Sequence, residues 1–307
     1  MLSGIVLSKD RPMQLHLLLE SLEKNSNNIF DVSVLYNSSS EEYSEGYEKT
    51  RGAFPDITWI HENNFRDDLL NHLKSRSEFI CFFTDDNILY RNIEFDFDLL
   101  INPFVDFNGE NGASGICSVS LRLGSNTVFE YNHNAEINID FFPQLHKYIP
   151  GMAEMSRLDT PTGKIFPISL WQHNAFNPLT NFGYPMSVDA HVFQRGFIEP
   201  YLNGLNFNNP NSMESEMVLN SKNCPALLGC LDLSYVVNTP INRVQDTFQN
   251  SYGKNFGISQ KDLNDKYLSE QVIDYDRIDF SNVIGCHQEL KMEFKKYDRP
   301  RRLEQSA

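Results

Sequence analysis

Short apolar strands alternate with helical segments in the first third of the sequence, and this alternation restricts the fold more than any other feature. Strands and helices that alternate over short connections are typical of a parallel sheet covered on both faces. We therefore predict an α/β fold with a mostly parallel central sheet flanked by helices. The predicted strands are residues 4–8, 32–36, 57–61 and 79–83, and the predicted helices are residues 12–24 and about 65–75.

Polar residues follow three of these strands, at 8–11, 36–40 and 85–87. Because parallel sheets bind ligands beyond the carboxyl ends of their strands, these segments are expected to converge on one ligand site. Residues 37–46 (NSSSEEYSEG) are interpreted as a polar loop. The later chain is less regular, and residues 126–181 show little periodicity. In this later part we predict strands at 116–123 and 231–237, a strand at 186–195 that continues into a helix near 197–205, and a helix beginning at 213.

The composition limits the class of protein. The 307 residues are 40% hydrophobic, enough for a substantial core, and the net charge is −15. An acidic chain is a poor partner for nucleic acid, because phosphate backbones favour dense Lys and Arg. Five cysteines without a CxxC pair predict free thiols in a reducing compartment. The sequence contains no apolar run of 18 residues, so no membrane span is predicted. The first residues resemble a strand more than a signal peptide. We expect a cytoplasmic protein.

One predicted strand stops at two adjacent carboxylates, in the segment FICFFTDDNILY (79–90). Buried carboxylates are costly unless cations or hydrogen-bond donors meet them. Asp85, Asp86 and Asn87 favour turns, so an ordinary loop is one interpretation. The other is a metal site at the carboxyl edge of the sheet, since Mg²⁺ and Mn²⁺ accept oxygen ligands from carboxylates and phosphates together.

A strand that ends in TDDN, within an alternating α/β half, resembles the aspartate motif of GT-A-fold nucleotide-sugar glycosyltransferases. The opening SKDRPMQLHLLLESL is similar to the first strand and helix of family 2 members, and TDDN and SVDAHVFQR are similar to segments of the bacterial spore-coat polysaccharide glycosyltransferase. The resemblance covers about the first 90 residues and resumes near 185–220. It implies a Rossmann-like GT-A fold with an irregular acceptor-side region.

The resemblance also implies roles for individual residues. Asp86 would be the main ligand of Mn²⁺ or Mg²⁺, with Asn87 and His287 as further ligands, although a lone histidine is more often structural. Asp85 would face the ribose. Ser8, Arg11, Tyr36, Asn37 and Arg66 are the other nucleotide-binding candidates, of which the two arginines could equally be charges at helix ends. The resemblance implies a UDP-sugar as the favoured donor and a dTDP-sugar as the second. Many relatives hold uracil with an aspartate, however, where this chain has a tyrosine and an asparagine.

An inverting transferase needs a general base that deprotonates the acceptor hydroxyl. The order of segments in relatives assigns this role to Glu214 and the contact with the donor sugar to Asp189. The alternative for Glu214 is a helix-capping acid beside Ser212.

The favoured interpretation is a metal-dependent, inverting glycosyltransferase that acts on a glycan or polysaccharide acceptor. The alternatives are a sugar nucleotidyltransferase, which would normally show a Gly-rich phosphate loop after the first strand, and a non-catalytic nucleotide-sugar-binding domain. We expect one GT-A domain over 1–295, with a nucleotide-binding half at 1–110, a donor-sugar and acceptor half at 111–295, and a flexible tail at 296–307.

Overall fold

The computed structural model describes residues 1–107, 115–131, 133–137, 146–148, 168–177, 180–244 and 253–298. The helices are α1 Pro12–Asn25, α2 Glu41–Ala53, α3 Phe65–Leu73, α4 Phe97–Phe107, α5 Arg195–Asn203, α6 Pro210–Leu219 and α7 Gln260–Leu268. The strands are β1 Leu2–Lys9, β2 Phe30–Asn37, β3 Thr58–His61, β4 Phe79–Thr84, β5 Asn87–Leu89, β6 Ile116–Ser120, β7 Phe129–Glu130, β8 Ala135–Glu136, β9 His146–Tyr148, β10 Ile168–Gln172, β11 His191–Gln194, β12 Leu227–Leu231, β13 Val236–Asn238, β14 Gln271–Ile273 and β15 Phe294–Lys296.

Nine of the described strands form one sheet, in the order β3-β2-β1-β4-β11-β6-β12-β10-β9. β1 pairs in parallel with β2 and β4, β2 with β3, and β6 with β12. The predicted α/β class, with a mostly parallel central sheet flanked by helices, is confirmed. The carboxyl ends of β1, β2 and β4 lie together, and we call this the carboxyl edge of the sheet.

The antiparallel strand β11 lies between β4 and β6 and connects the two parallel parts of the sheet. Because it runs against its neighbours, its amino end lies at the carboxyl edge, next to the end of β4. The backbone N–H of Ala190 donates to the carbonyl oxygen of Phe82 over 2.7 Å. This placement brings Asp189, just before β11, to the residues that follow β4.

Both faces of the sheet are apolar, as expected for parallel strands covered by helices. Side chains alternate along a strand, so Val6 packs against Leu15 and Leu18 of α1 in one cluster. Ile5 and Leu7 point to the opposite face, into a cluster that contains residues of α3, α5 and α6. α1 begins with Pro12, whose fixed φ suits the first helical position and whose missing N–H costs nothing there.

Several predicted elements differ from the structure. Residues 41–53, of which 41–46 were predicted to belong to a loop, form α2, which Ser40 caps and whose buried residues include Gly46 and Tyr47. The strand predicted at 231–237 is two strands, β12 and β13, separated by a turn, and residues 186–190 precede β11 without forming a strand. The predicted tail begins inside β15, which pairs with β14. Most of the predicted irregular region, residues 245–252 and residues 299–307 lie outside the described residues.

His16 on α1 is buried in an aromatic environment and gives a pH-dependent prediction. Its Nδ1 lies 2.9 Å from the hydroxyl of Tyr267, and its ring contacts Phe54 edge-on. Burial, reinforced by Lys49 and Lys295, lowers its pKa from 6.5 to about 3. Between these values the unfolded chain binds the extra proton, so the contribution of His16 to stability is complete above pH 6.5 and is lost as the pH falls towards 3.

Because of this shift, the contribution of His16 to the free energy of unfolding is expected to fall by about 2 kcal/mol when the pH is lowered from 7 to 5. His16→Gln, which has no titrating ring and still offers a hydrogen bond to Tyr267, should therefore lose about 2 kcal/mol less than the parent over this range. Urea denaturation at pH 7, 6 and 5 measures the difference. Parallel pH profiles for the two proteins would contradict the prediction.

Candidate active site

Asp85 follows β4 at the carboxyl edge and is 3% exposed. Its carboxylate accepts hydrogen bonds from Ser8 Oγ at 2.9 Å, the backbone N–H of Lys9 at 3.1 Å and Arg11 Nη1 at 2.9 Å. Burial raises the pKa of Asp85 to about 6, against the attraction of Arg11. The ends of β1 and β4 are therefore joined through a buried carboxylate.

Arg11 is held from three sides and contacts both aspartates. Its Nη1 donates to Asp85 and, over 3.1 Å, to Oδ2 of Asp86. Its Nε donates to Oδ1 of Asn242 at 2.8 Å, and its Nη2 donates to the carbonyl oxygen of Asn242 at 2.7 Å. Asp10, at a positive φ of 56°, makes the turn that leads from β1 into this position. The guanidinium is thereby fixed across the aspartate pair.

Asp86 is the more accessible of the two aspartates, with 12% of its side chain exposed against 4% for Asp85. Oδ1 of Asp86 accepts from Asn238 Nδ2 at 2.7 Å and lies 2.8 Å from Thr84 Oγ1. No three Asp, Glu, His or Cys side chains form a ready metal-binding group within the described residues. Mg²⁺ and Mn²⁺ do not require one, because they commonly bind through one or two carboxylates and the phosphates of a substrate. A carboxylate that stays partly exposed fits that mode of binding.

Asp189 is brought to the same place by a turn at Ala190, which has a φ of 54°. Its Oδ1 accepts from Thr84 Oγ1 at 2.5 Å and from Asn87 Nδ2 at 3.2 Å, and its Oδ2 accepts from Arg122 Nη1 at 3.0 Å. Burial opposes ionisation of Asp189, but Arg122 and the hydrogen bonds outweigh it and lower the pKa. A non-glycine residue in the left-handed region is strained, and such strain concentrates at functional sites.

Glu214 lies in α6 and does not cap it. Asn209 caps the helix together with Ser212, and both hydrogen bonds of the capping box are present. Glu214 Oε1 instead accepts from Ser187 Oγ at 2.7 Å and from the backbone N–H of Val188 at 3.0 Å. Burial, and then the negative charge of Asp189, raise the pKa of Glu214. The two predicted catalytic carboxylates are therefore connected through residues 187–189.

The other predicted nucleotide-binding residues are placed in different ways. Ser8 belongs to the Asp85 group, and Asn37 ends β2 at the carboxyl edge, where its Nδ2 lies 3.4 Å from Oε1 of Glu62. Tyr36 is only 6% exposed and packs its ring 4.7 Å from that of Tyr47.

Arg66 makes its strongest contacts away from the aspartates. It donates to the carbonyl oxygens of Leu205 and Asn203, at 3.0 and 2.8 Å, and thereby ties the start of α3 to the end of α5. Its assignment as a nucleotide-binding residue stays a prediction, as do the assigned roles of the other candidates.

His287 is brought to the site by contacts that the sequence did not indicate. Its Nε2 lies 3.0 Å from Nη1 of Arg122, and its Nδ1 lies 3.2 Å from Oδ1 of Asn238. Since an arginine can only donate, Nε2 must be the acceptor, and Nδ1 carries the ring proton. Burial and Arg122 lower the pKa of His287 to about 4, in agreement with a neutral ring.

Sequence reasoning missed four residues that build the site: Tyr47, Arg122, Asn238 and Asn242. The hydroxyl of Tyr47 lies 2.7 Å from Ser8 Oγ. Arg122 is 2% exposed and stands at the end of the apolar segment ICSVSLRL. An arginine within a predicted strand is the one available signal, because a buried charge requires a partner. The two asparagines offer no comparable signal in the sequence.

Comparison with known proteins adds the following. No family model matches the chain. The sequence is 26% identical over 302 residues to "Bifunctional glycosyltransferase pgtA" of Dictyostelium discoideum, in an alignment that covers 87% of this chain. The chain is related in sequence to a glycosyltransferase. It spans about a third of that relative's length, 36%. The predicted resemblance to glycosyltransferases is thus confirmed, and the finer likeness to the spore-coat enzyme stays a prediction.

Solved structures show weaker likeness. S. aureus TarS 1-349 in complex with UDP-GlcNAc has a TM-score of 0.40 and 12% identity, over 82% of this chain and 62% of that one. The mannosyltransferase PcManGT from Pyrobaculum calidifontis, in complex with GDP-Man and Mn²⁺, has a TM-score of 0.28 and 14% identity, over 42% and 40%. These scores are too low to support an argument about function. No helix among the described residues has the length and apolar character needed to cross a membrane.

Proposed function

We propose that the protein is a metal-dependent glycosyltransferase that moves a sugar from a nucleoside diphosphate sugar to the hydroxyl of a glycan acceptor, with inversion. The observation that carries this proposal is the convergence of Asp85, Asp86 and Asp189 at the carboxyl edge of the sheet. Glu214 is attached to the same group through Ser187 and Val188. The sequence relationship to a glycosyltransferase supports the class of reaction. Assembly of a surface polysaccharide is the use that the family resemblance suggests.

The donor would bind along the carboxyl edge, with its nucleoside over the ends of β1 and β2. Asp86 would hold Mn²⁺ or Mg²⁺. The other two predicted ligands are engaged within the protein, Asn87 with Thr84 and Asp189, and His287 with Arg122 and Asn238. When bound, such an ion neutralises the diphosphate, which helps the donor to bind and the nucleoside diphosphate to leave. Arg11 keeps Asp85 and Asp86 in place beside it.

Glu214 is the proposed general base. A carboxylate whose pKa is raised by burial is a stronger proton acceptor near neutral pH than an exposed one. As the acceptor oxygen forms its bond to the anomeric carbon, its proton passes to Glu214 and the bond from that carbon to the diphosphate oxygen breaks. One displacement of this kind inverts the configuration. Asp189, held ionised by Arg122, would contact the donor sugar.

A thermal-shift panel of UDP, GDP, dTDP, CMP and the nucleoside triphosphates, with and without Mn²⁺, tests the proposal together with an assay of sugar transfer. A rise in melting temperature that requires both one diphosphate and Mn²⁺ would support it. A rise with nucleoside triphosphates alone would favour a nucleotidyltransferase, and transfer activity that never appears despite diphosphate binding would favour a non-catalytic domain.

The site at the carboxyl edge is expected to prefer UDP, with dTDP second, because of the family resemblance. The preference should be moderate, since Tyr36 is buried and Asn37 stands where relatives carry an aspartate. Calorimetric titration in Mn²⁺ measures it directly. Tighter binding of GDP than of UDP would show that this prediction is wrong.

A further inference from the structure

Six side chains at the carboxyl edge form a closed ring of polar contacts, in which Thr84 has one hydroxyl proton for two carboxylates. On one side, Arg122 Nη1 donates to Asp189, whose other oxygen accepts from Thr84 Oγ1, and that hydroxyl also lies 2.8 Å from Asp86. On the other side, Arg122 Nη1 donates to His287, whose Nδ1–H points to Asn238, and Asn238 Nδ2 donates to Asp86. Both paths lead from Arg122 to Oδ1 of Asp86.

The donors and acceptors of this ring fit only one arrangement around Arg122. Its Nη1 carries two hydrogens, and the two neighbours at 3.0 Å, Asp189 Oδ2 and His287 Nε2, each take one. With Nε2 used as an acceptor, the imidazole must present its proton to Asn238. The amide of Asn238 is then oriented as well, with Oδ1 towards His287 and Nδ2 towards Asp86.

The position of Arg122 in the chain adds to its importance. It follows β6, while Asp189 precedes β11 and His287 belongs to the C-terminal segment that bridges to Asn238 of β13. Arg122 is 2% exposed, and its Nε is buried without a hydrogen-bond partner among the described residues. Burial of this charge is costly, and the two hydrogen bonds from Nη1 to Asp189 and His287 offset part of the cost.

We infer that Arg122 is a positioning residue of the transferase site: it holds Asp189 and His287 so that, through Thr84 and Asn238, they fix the orientation of the Asp86 carboxylate. The inference rests on the proposed function, since it takes Asp86 to be a metal ligand. Arg122 itself contacts neither the ion nor the nucleotide in this scheme. Residues that orient metal ligands in this way typically change metal affinity or activity by about 10- to 100-fold when they are removed.

Arg122→Met and Asn238→Ala interrupt the ring at separate points, and the second removes no charge. Arg76→Met is the matched control. Arg76 also pairs with one carboxylate, that of Asp31, and its Nε is also buried without a hydrogen-bond partner among the described residues. Arg76, however, lies before β4, at the edge of the sheet opposite to the carboxyl edge. We expect the Mn²⁺ concentration that half-saturates UDP binding to rise about 10- to 100-fold in both ring variants. It should stay at the parent's value in Arg76→Met.

Calorimetry of UDP binding over a range of Mn²⁺ concentrations provides this readout, and UDP binding without Mn²⁺ should be equal in all four proteins. Urea denaturation identifies a variant that fails to fold. If Arg122→Met does not fold, Asn238→Ala decides, and the parent's Mn²⁺ dependence in that variant overturns the inference. If the parent itself binds UDP without any effect of Mn²⁺, the proposed function is what fails.

Discussion

Asp86→Ala is expected to abolish Mn²⁺-dependent binding of UDP, with affinity in Mn²⁺ reduced by about 100-fold or more. The reason is that 12% of the Asp86 side chain is exposed against 4% of the Asp85 side chain, although both oxygens of each carboxylate accept hydrogen bonds from the protein. Isothermal titration calorimetry with and without Mn²⁺ measures the loss.

Two comparison variants make this result specific. Asp85→Ala should weaken binding less, because in this arrangement Asp85 supports Arg11 and the nucleoside end of the site. Asp56→Ala, which removes an exposed carboxylate between α2 and β3, should bind as the parent does. An Asp86→Ala protein that binds UDP in Mn²⁺ as tightly as the parent would show that the metal assignment is wrong.

Glu214→Gln is expected to bind the donor normally and to lose a factor of about 10² to 10⁴ in turnover. The amide oxygen of glutamine can still accept from Ser187 and Val188, so the loop before β11 should keep its position, but an amide cannot take the acceptor's proton. Steady-state kinetics with a nucleotide sugar separates the two effects. Glu216→Gln, on the same helix, is the matched control and should turn over normally.

Asp189→Asn distinguishes the two carboxylates. Loss of a contact with the donor sugar should raise the donor KM as well as lower kcat, in contrast to Glu214→Gln. Analysis of the product by NMR should show an anomeric configuration opposite to the donor's. Retention, or turnover near the parent's value in Glu214→Gln, would remove Glu214 from the role of base and leave Asp189 as the next candidate.

The sequence predicted the elements whose apolar pattern is strong. β1, α1 and β4 carry such patterns, and the structure has them within a few residues of the predicted bounds. α2 was missed because EEYSEGYEKTRGA has few apolar residues, and it is held by particular tertiary contacts: Gly46 lies directly against Pro12, and Thr50 donates to the carbonyl oxygen of Pro12. Local sequence does not encode such contacts in a recognisable pattern.

The site was predicted only in part, for a similar reason. Asp85 and Asp86 stand at the end of an obvious strand, which made them visible. Arg122 and Asn238 reach the site only because β11 is inserted between β4 and β6 and because β13 pairs with β5. Strand order of this kind depends on pairing over long sequence distances, and periodicity within a segment does not report it.

Arg11 and Asn242 are 231 positions apart in the chain, and this distance has a consequence for synthesis. Chains are made from the N-terminus, and segments that have left the ribosome begin to fold first. The segments of β1, α1 and β4 are therefore translated well before Asn242, which accepts two hydrogen bonds from Arg11. During this interval the guanidinium has the aspartates as partners but lacks the two oxygens of Asn242 to which it donates. The aspartate site of the nascent protein is thus incomplete until the last third of the chain has emerged, and an N-terminal fragment carrying all of TDDN would still lack the geometry described for the whole chain.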